Sequence, residues 1–244
     1  MREIKFSEAI NIVLREFLKK DKKTFLLGED IGVYGGAFGV TKGLLDEFGC
    51  ERVIDTPISE NSIIGVAGGA AMLGMRPIVE IMFMDFITLA MDQIVNHISK
   101  FRFMYGGQVE VPVVIRTACG AGKSYGPTHS QSFDSWFLSC PGIKVVSPSN
   151  AYDAMGLLRS SLKEKDPVIF IEHKMLYNKK FQVPDKKFTV PLGKAKILKE
   201  GKDITLITYS NMVELALNFS ENYNVIINYY NIMIKYICLL ICLV

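Results

Sequence analysis

A chain of 244 residues, 49% hydrophobic and 22% charged, carries enough apolar material for one large domain or two small ones. Its formal net charge of +3 is small, and its lysines are scattered or gathered at a solvated helix end, as in Lys19-Lys20-Asp21-Lys22-Lys23. That leaves no basic stripe with interleaved aromatics for nucleic acid. Cys50, Cys119, Cys140, Cys238 and Cys242 have neither Cys-x-x-Cys spacing nor a nearby histidine cluster, so neither a disulfide framework nor a zinc site is supported, and a reducing compartment is the default.

In chain order, the first element is an amphipathic helix over Phe6 to Lys20. It lacks the apolar stretch of a signal peptide and the Arg/Ser-rich character of a transit peptide, so no targeting segment is visible. Short aliphatic and β-branched runs then predict strands at Thr24 to Leu27, Val53 to Asp55, Ile78 to Met82, Val111 to Arg116, Lys144 to Ser147, Val168 to Glu172 and Ile204 to Tyr209. Helical spacing predicts helices at Asn61 to Met75, Ile87 to Phe103 and Tyr152 to Lys165. The alternation predicts an α/β fold with a largely parallel sheet covered on both faces, in which ligands meet the carboxyl ends of the strands.

Two candidate residues follow from that rule. Glu60 comes after the strand ending at Asp55 and heads a helix in which Gly65, Ala67, Gly68, Gly69, Ala70, Ala71 and Gly74 leave almost no polar face. Such a helix is expected to be buried, so its first-turn carboxylate complements the helix dipole yet borders a dry interior. The bland alternative is a carboxylate that serves the dipole from a solvated loop. His129 lies beyond the glycine-rich run Cys119-Gly120-Ala121-Gly122-Lys123-Ser124-Tyr125-Gly126, also at a strand's carboxyl end. On its own it reads more readily as a hydrogen-bonded loop histidine than as a catalytic one. Gly120 to Ser124 superficially matches a Walker loop, but the required first glycine is Thr117. His97 reads as a helix-surface residue and His173 as a strand-end residue, and there is no Gly-x-Ser-x-Gly or His-x-x-x-His pattern.

Several motifs occur in a fixed order from Lys5 to about Ser210: Gly28-Glu29-Asp30-Ile31-Gly32, Gly39-Val40-Thr41-Lys42-Gly43-Leu44, Asp55-Thr56-Pro57-Ile58-Ser59-Glu60, Gly74-Met75-Arg76-Pro77, Met91-Asp92-Gln93-Ile94, Tyr105-Gly106-Gly107-Gln108, His129-Ser130-Gln131 and Cys140-Pro141-Gly142. Together they resemble the β subunits of the thiamine-diphosphate-dependent 2-oxo acid dehydrogenases, whose members act on pyruvate, branched-chain 2-oxo acids or acetoin. The resemblance implies a pyrimidine-binding domain over residues 1–185, a linker over 186–203 and, from 204 to 244, the start of an incomplete transketolase-type C-terminal domain.

It also implies roles. Glu60 hydrogen-bonds a ring nitrogen of the aminopyrimidine, Phe86 packs against that ring and Ile58 lies beside it. His129 assists acyl transfer to lipoamide. A potassium ion is implied at Val113, Ser161, Leu162, Glu164 and Asp166, bound mainly by backbone carbonyls. The Gly-Asp-Gly…Asn signature for magnesium and diphosphate occurs nowhere in the chain. The resemblance assigns that half of the site to an α subunit, and so implies an α2β2 heterotetramer docked on a lipoyl acyltransferase core, cytoplasmic in a bacterium and in the mitochondrial matrix or a plastid in a eukaryote. Pyruvate is the preferred substrate, with branched-chain 2-oxo acids and acetoin as alternatives. Leu89 replaces a glutamine found in some members, and Lys123, Ser124 and Tyr125 replace smaller residues, which bears on substrate choice. From about residue 222 the sequence becomes an apolar, Asn/Ile/Tyr-rich run, interrupted by Asn228, Asn231 and Lys235. A truncated or misread frame is favoured there over a membrane tail; the other-class alternatives are an inactive fragment or a membrane-tethered interaction module.

Overall fold

The computed structural model describes residues 1–202, 204–221 and 225–230; the remainder of the apolar run, 222–224 and 231–244, lies outside the described residues. The centre is a six-stranded, all-parallel sheet of β2 (Thr24–Gly28), β3 (Val53–Asp55), β4 (Arg76–Ile81), β5 (Val114–Cys119), β6 (Lys144–Val146) and β7 (Val168–His173). Its order is β3-β2-β4-β5-β7-β6. Because β3 and β4 flank β2 on opposite sides, the chain reverses direction across the sheet at β2/β4, and the loops leaving β2, β3 and β4 open a crevice there.

The two faces carry separate apolar cores. On one, α1 (Phe6–Lys20) buries Phe6, Ala9, Ile10, Val13, Leu14 and Leu18 at helical spacing and packs against α6 (Ala151–Ser161). The Glu8 carboxylate accepts from the Lys5 amide at 2.8 Å, and Lys19 and Lys20 occupy the last turn, so both ends of α1 are matched to its dipole. Asn150 caps α6, its side chain accepting from the Asp153 amide at 2.8 Å. On the other face, α3 (Glu60–Met72) packs against the segment that follows β4.

That segment differs from the single helix predicted over Ile87 to Phe103. It is a 3-10 turn at Met84–Ala90, a π-wound turn at Gln93–Ile98 and a short α4 (Phe101–Met104). The Ser99 amide donates to the Ile94 carbonyl at 3.2 Å, the five-residue step that marks π winding. The wider turn keeps Ile94 and Ile98 in the core, where Ile98 lies so close to α3 that a Cβ at Gly68 would come within 2.6 Å of it. β5 begins three residues later than predicted: Pro112 has no amide, and the Val113 amide is spent on the Val111 carbonyl at 2.8 Å.

α3 also departs from the full burial expected of it. Ile63, Ile64, Ala67 and Ala71 face the core, but Val66 is 59% and the adjoining Leu73 88% exposed.

Two further pairings were not anticipated. β1 (Arg2–Lys5) pairs antiparallel with β8 (Lys180–Val183). β9 (Ala195–Lys199) pairs antiparallel with β11 (Val225–Tyr230), which runs parallel to the predicted β10 (Ile204–Thr208); α7 (Met212–Ser220) links β10 to β11. Among the described residues, no helix is long and apolar enough to cross a membrane.

Candidate active site

Glu60 is the first residue of α3 and only 5% exposed, which discards the solvated-loop reading. Its carboxylate has no hydrogen bond or ion pair to another described residue. A buried acid with a helix N-terminus and a second carboxylate for neighbours, and no donor among the described residues, is an arrangement that a ligand's hydrogen-bonding nitrogen would complete. Glu29, just beyond β2, faces it. Burial raises the Glu29 carboxyl above its ordinary range, the Glu60 charge raises it further, and the Ser59 amide pulls it down by hydrogen bonding. Ile58, in the loop between β3 and α3, is 82% exposed.

Phe86 sits half-buried on the 3-10 turn that packs against α3. His129 closes the short turn Pro127–His129, which packs on the same segment. The imidazole meets Phe86 edge-on, with ring centroids 5.1 Å apart at 88°, and meets Phe83 at 4.9 Å and 79°. Its Nδ1 lies 3.1 Å from Thr128 Oγ1, which leaves Nε2 with no protein partner among the described residues. Phe86 and His129 are thus brought into ring contact, and Glu60 heads the helix that packs on the turn bearing Phe86, with Ile58 in the loop before it.

Sequence reasoning missed three contributors. Phe83 forms the second wall against His129. Asp85, 6% exposed, accepts from the Gln131 backbone amide at 3.3 Å and from Gln131 Nε2 at 2.9 Å, while Asp85 Oδ2 is buried without a partner among the described residues. Lys174, 1% exposed, donates to the His129 carbonyl. The available signal was positional: Lys174 directly follows a strand whose residues 168–172 are all buried, a place where a solvated lysine is out of keeping.

The potassium candidates lie away from this crevice. The Val113 carbonyl accepts from the Val168 amide at 2.9 Å, and the Ser161 carbonyl from the Glu164 amide at 3.1 Å. The Leu162 carbonyl accepts from Arg76 Nη1 at 3.3 Å. The Glu164 carboxylate pairs with Lys144, and Asp166 with Arg102 at 2.9 Å. Each carbonyl retains one lone pair. Among the described residues, no group of three or more His, Cys, Asp or Glu side chains could hold a metal.

Residues 2–180 match the family "Transketolase, pyrimidine binding domain". The chain is 46% identical over 228 residues to the acetoin:2,6-dichlorophenolindophenol oxidoreductase subunit beta of Bacillus subtilis (strain 168), covering 88% of this chain and 67% of that protein. It is 43% identical over 224 residues to the mitochondrial pyruvate dehydrogenase E1 component subunit beta-1 of Arabidopsis thaliana, covering 90% of this chain and 62% of that one. Among solved structures, a split-gene transketolase described as an inactive beta4 tetramer superposes with a TM-score of 0.75 at 21% identity, over 94% of this chain and 72% of that one. That likeness bears on the fold alone. The chain spans about three fifths to two thirds of the length of these sequence relatives. With the family matched over most of its length and close relatives among E1 components, the chain belongs to the transketolase-type pyrimidine-binding family, in the group of pyruvate and acetoin dehydrogenase β subunits.

Proposed function

We propose that this chain is the β subunit of the decarboxylating component of a 2-oxo acid dehydrogenase, acting on pyruvate with thiamine diphosphate and passing the acetyl group to lipoamide on an acyltransferase core. The observation that carries the proposal is the buried Glu60 carboxyl at the head of α3, without a hydrogen-bond partner among the described residues, on the helix that packs against the turn bearing Phe86. These residues fit an aminopyrimidine: a carboxyl group in a dry site suits a hydrogen bond to a ring nitrogen, and an aromatic edge excludes water beside it. Thiamine diphosphate, when bound, supplies the acidic carbon that attacks the keto group and the electron sink for decarboxylation. Glu60 keeps the proton at the ring nitrogen. His129, through its free Nε2, gives or takes a proton at the substrate oxygen, a task suited to an imidazole near neutral pH. Ile58 and Phe86 fill the apolar sides of the pocket.

The diphosphate and its magnesium fall to an α subunit, because this chain has no Gly-Asp-Gly…Asn sequence. The exposed apolar face of α3, with Val66 and Leu73, supports such a partner in an α2β2 assembly. Potassium at the carbonyls of Val113, Ser161 and Leu162, with Glu164 and Asp166 close by, is a subsidiary part of the proposal. A second reading, an acetoin dehydrogenase β subunit, is favoured by the 46% identity to the Bacillus subtilis protein.

The test is co-expression with a cognate α chain and a panel of pyruvate, branched-chain 2-oxo acids and acetoin. Thiamine-dependent turnover of pyruvate that Glu60→Gln nearly abolishes is the expected result. Preferential turnover of acetoin would transfer the assignment to the second reading, and undiminished activity in Glu60→Gln would remove the proposed role of that residue.

A further inference from the structure

We propose that Lys174 is a positioning residue for His129: its buried ammonium latches the loop between β5 and α5 (Asp134–Leu138) to the end of β7 and so fixes where the imidazole stands. The inference rests on the reading of His129 as an active-site residue.

The latch is a platform of three consecutive residues on which the loop lies. At its first position, the His173 ring lies so close under Gly120 that a Cβ there would come within 2.1 Å of Nε2. At its third, Met175 underlies Gly122, where a Cβ would come within 2.8 Å of the sulfur. Both glycines have positive φ, +88° and +98°, so the loop's approach depends on them twice, for conformation and for space. Between these two contacts, the Lys174 amide donates to the Cys119 carbonyl at 3.1 Å, and its Nζ donates to the His129 carbonyl. The loop thus leaves the platform at Cys119 and is drawn back to it at His129.

The ammonium is unusual in what surrounds it. It is nine-tenths buried or more, yet no carboxylate among the described residues forms an ion pair with it. Its neighbours are the His129 carbonyl, the Phe83 ring at 5.1 Å and the Tyr125 ring at 5.5 Å. One carbonyl and two π faces suit its three N–H bonds, and two of those three partners belong to the loop. Phe83 in turn forms one wall of the slot that holds the imidazole. Loss of the charge therefore frees the backbone beneath His129 and slackens the aromatic wall beside it. Asp85 supplies a second tie through Gln131, so the loop should loosen while remaining attached.

The titratable groups facing the ammonium are Asp85 on the 3-10 turn, Cys119 at the end of β5, Tyr125 and His129 on the loop, and His173 beside it. Burial lowers the lysine's pKa, and Asp85 and Cys119 oppose that. The latch is accordingly expected to release on the alkaline side.

The test uses the heterotetramer with its α chain and the variants Lys174→Met, Lys174→Arg, His129→Ala and the His129→Ala/Lys174→Met double. Reductive acylation of a lipoyl domain gives kcat and KM across pH, and hydrogen exchange follows the amides of residues 120–131. Lys174→Met should speed exchange in that segment and lower kcat on the order of 100-fold, the scale of a ~1 Å misplacement, with a smaller change in KM. Lys174→Arg should restore the rate and move the alkaline limb of the pH profile upward. In the His129→Ala background, Lys174→Met should speed exchange but lower the rate no further. Unchanged exchange in Lys174→Met overturns the latch. If that variant does not fold, an unmoved alkaline limb in Lys174→Arg does the same. Full activity in His129→Ala together with a loosened loop in Lys174→Met would instead overturn the role of His129 and leave the latch standing.

Discussion

Arg116 on β5 and Glu172 on β7 are joined by two parallel hydrogen bonds, Nε to Oε1 at 2.7 Å and Nη2 to Oε2 at 2.8 Å, with both side chains shut off from solvent. Glu80 on β4 accepts from Arg116 Nη1 at 2.6 Å, and the Tyr177 hydroxyl donates to Glu172 at 2.8 Å. Burial alone would push the guanidinium pKa down, but the charges of Glu172 and Glu80 override that and hold it above its ordinary value. Removing one partner strands a charge in the interior, so Glu172→Ala should destabilise the chain by about 3–5 kcal/mol. Urea denaturation checks this; a loss within that of an ordinary surface substitution would show that the network relaxes around the gap.

Glu60→Gln should behave in the opposite way. The carboxylate has no hydrogen-bond or ion-pair partner among the described residues, and its interaction with the helix end is worth about 0.3–1 kcal/mol. Thermal stability should therefore stay close to that of the unaltered chain while thiamine-dependent turnover with the α subunit collapses. A large fall in Tm would mean that Glu60 supports the fold.

His173 gives a pH dependence with a definite sign. Burial, with Lys174 and Lys179 nearby, lowers its pKa from 6.5 to about 4. Between those two values the unfolded chain binds the proton and the folded chain does not, so stability rises with pH across that window. The contribution is complete above the unfolded value, declines as pH falls from 6.5 to about 4, and then levels off. Its size is reduced because the ring is partly open to solvent. Denaturation of the chain and of His173→Gln at several pH values between 4 and 8 should show a flatter profile in the variant. Parallel profiles would assign the acid sensitivity to another group.

On α3 and at the residue that follows it, Val66→Lys and Leu73→Glu alter side chains that are 59% and 88% exposed. Each should change stability by no more than about 0.5 kcal/mol and weaken assembly with the α chain in sedimentation velocity. Intact assembly in both variants would move the partner surface elsewhere.

If potassium occupies the carbonyls of Val113, Ser161 and Leu162, it stabilises the fold by mass action, by about 2.7 kcal/mol at a hundredfold excess over its Kd. Tm should then be higher in potassium than in equal concentrations of sodium or choline chloride. Equal values in all three salts would remove the site.

Much of the domain was legible because its signals are local. The apolar positions of α1 recur at helical spacing from Phe6 to Leu18, and the buried strands are continuous aliphatic runs; their order in the sheet is set by long-range pairing and was not read from the sequence. The segment from Met84 to Met104 was misread because its apolar spacing suits one regular helix, whereas it winds as a 3-10 turn, a π turn and a short helix with Ile98 packed on Gly68 of α3, a long-range contact about which spacing says nothing. The half-exposed character of α3 was hidden for a similar reason: small apolar residues look the same whether they face a core or a partner. Glu60 and His129 stood out as carboxyl-end residues of a parallel sheet, but Lys174 did not. Its meaning lies in a carbonyl 45 positions away in sequence.

The pairing of β1 with β8 has a consequence for synthesis. Arg2 aligns with Val183 and Lys5 with Lys180, so β1 leaves the ribosome long before the strand it pairs with. At ~5–20 residues per second that interval is on the order of 10–35 s. Throughout it Arg2–Lys5 is an unpaired edge, and three of its four residues, Arg2, Glu3 and Lys5, are charged, the composition that discourages an open edge from recruiting a neighbouring nascent chain.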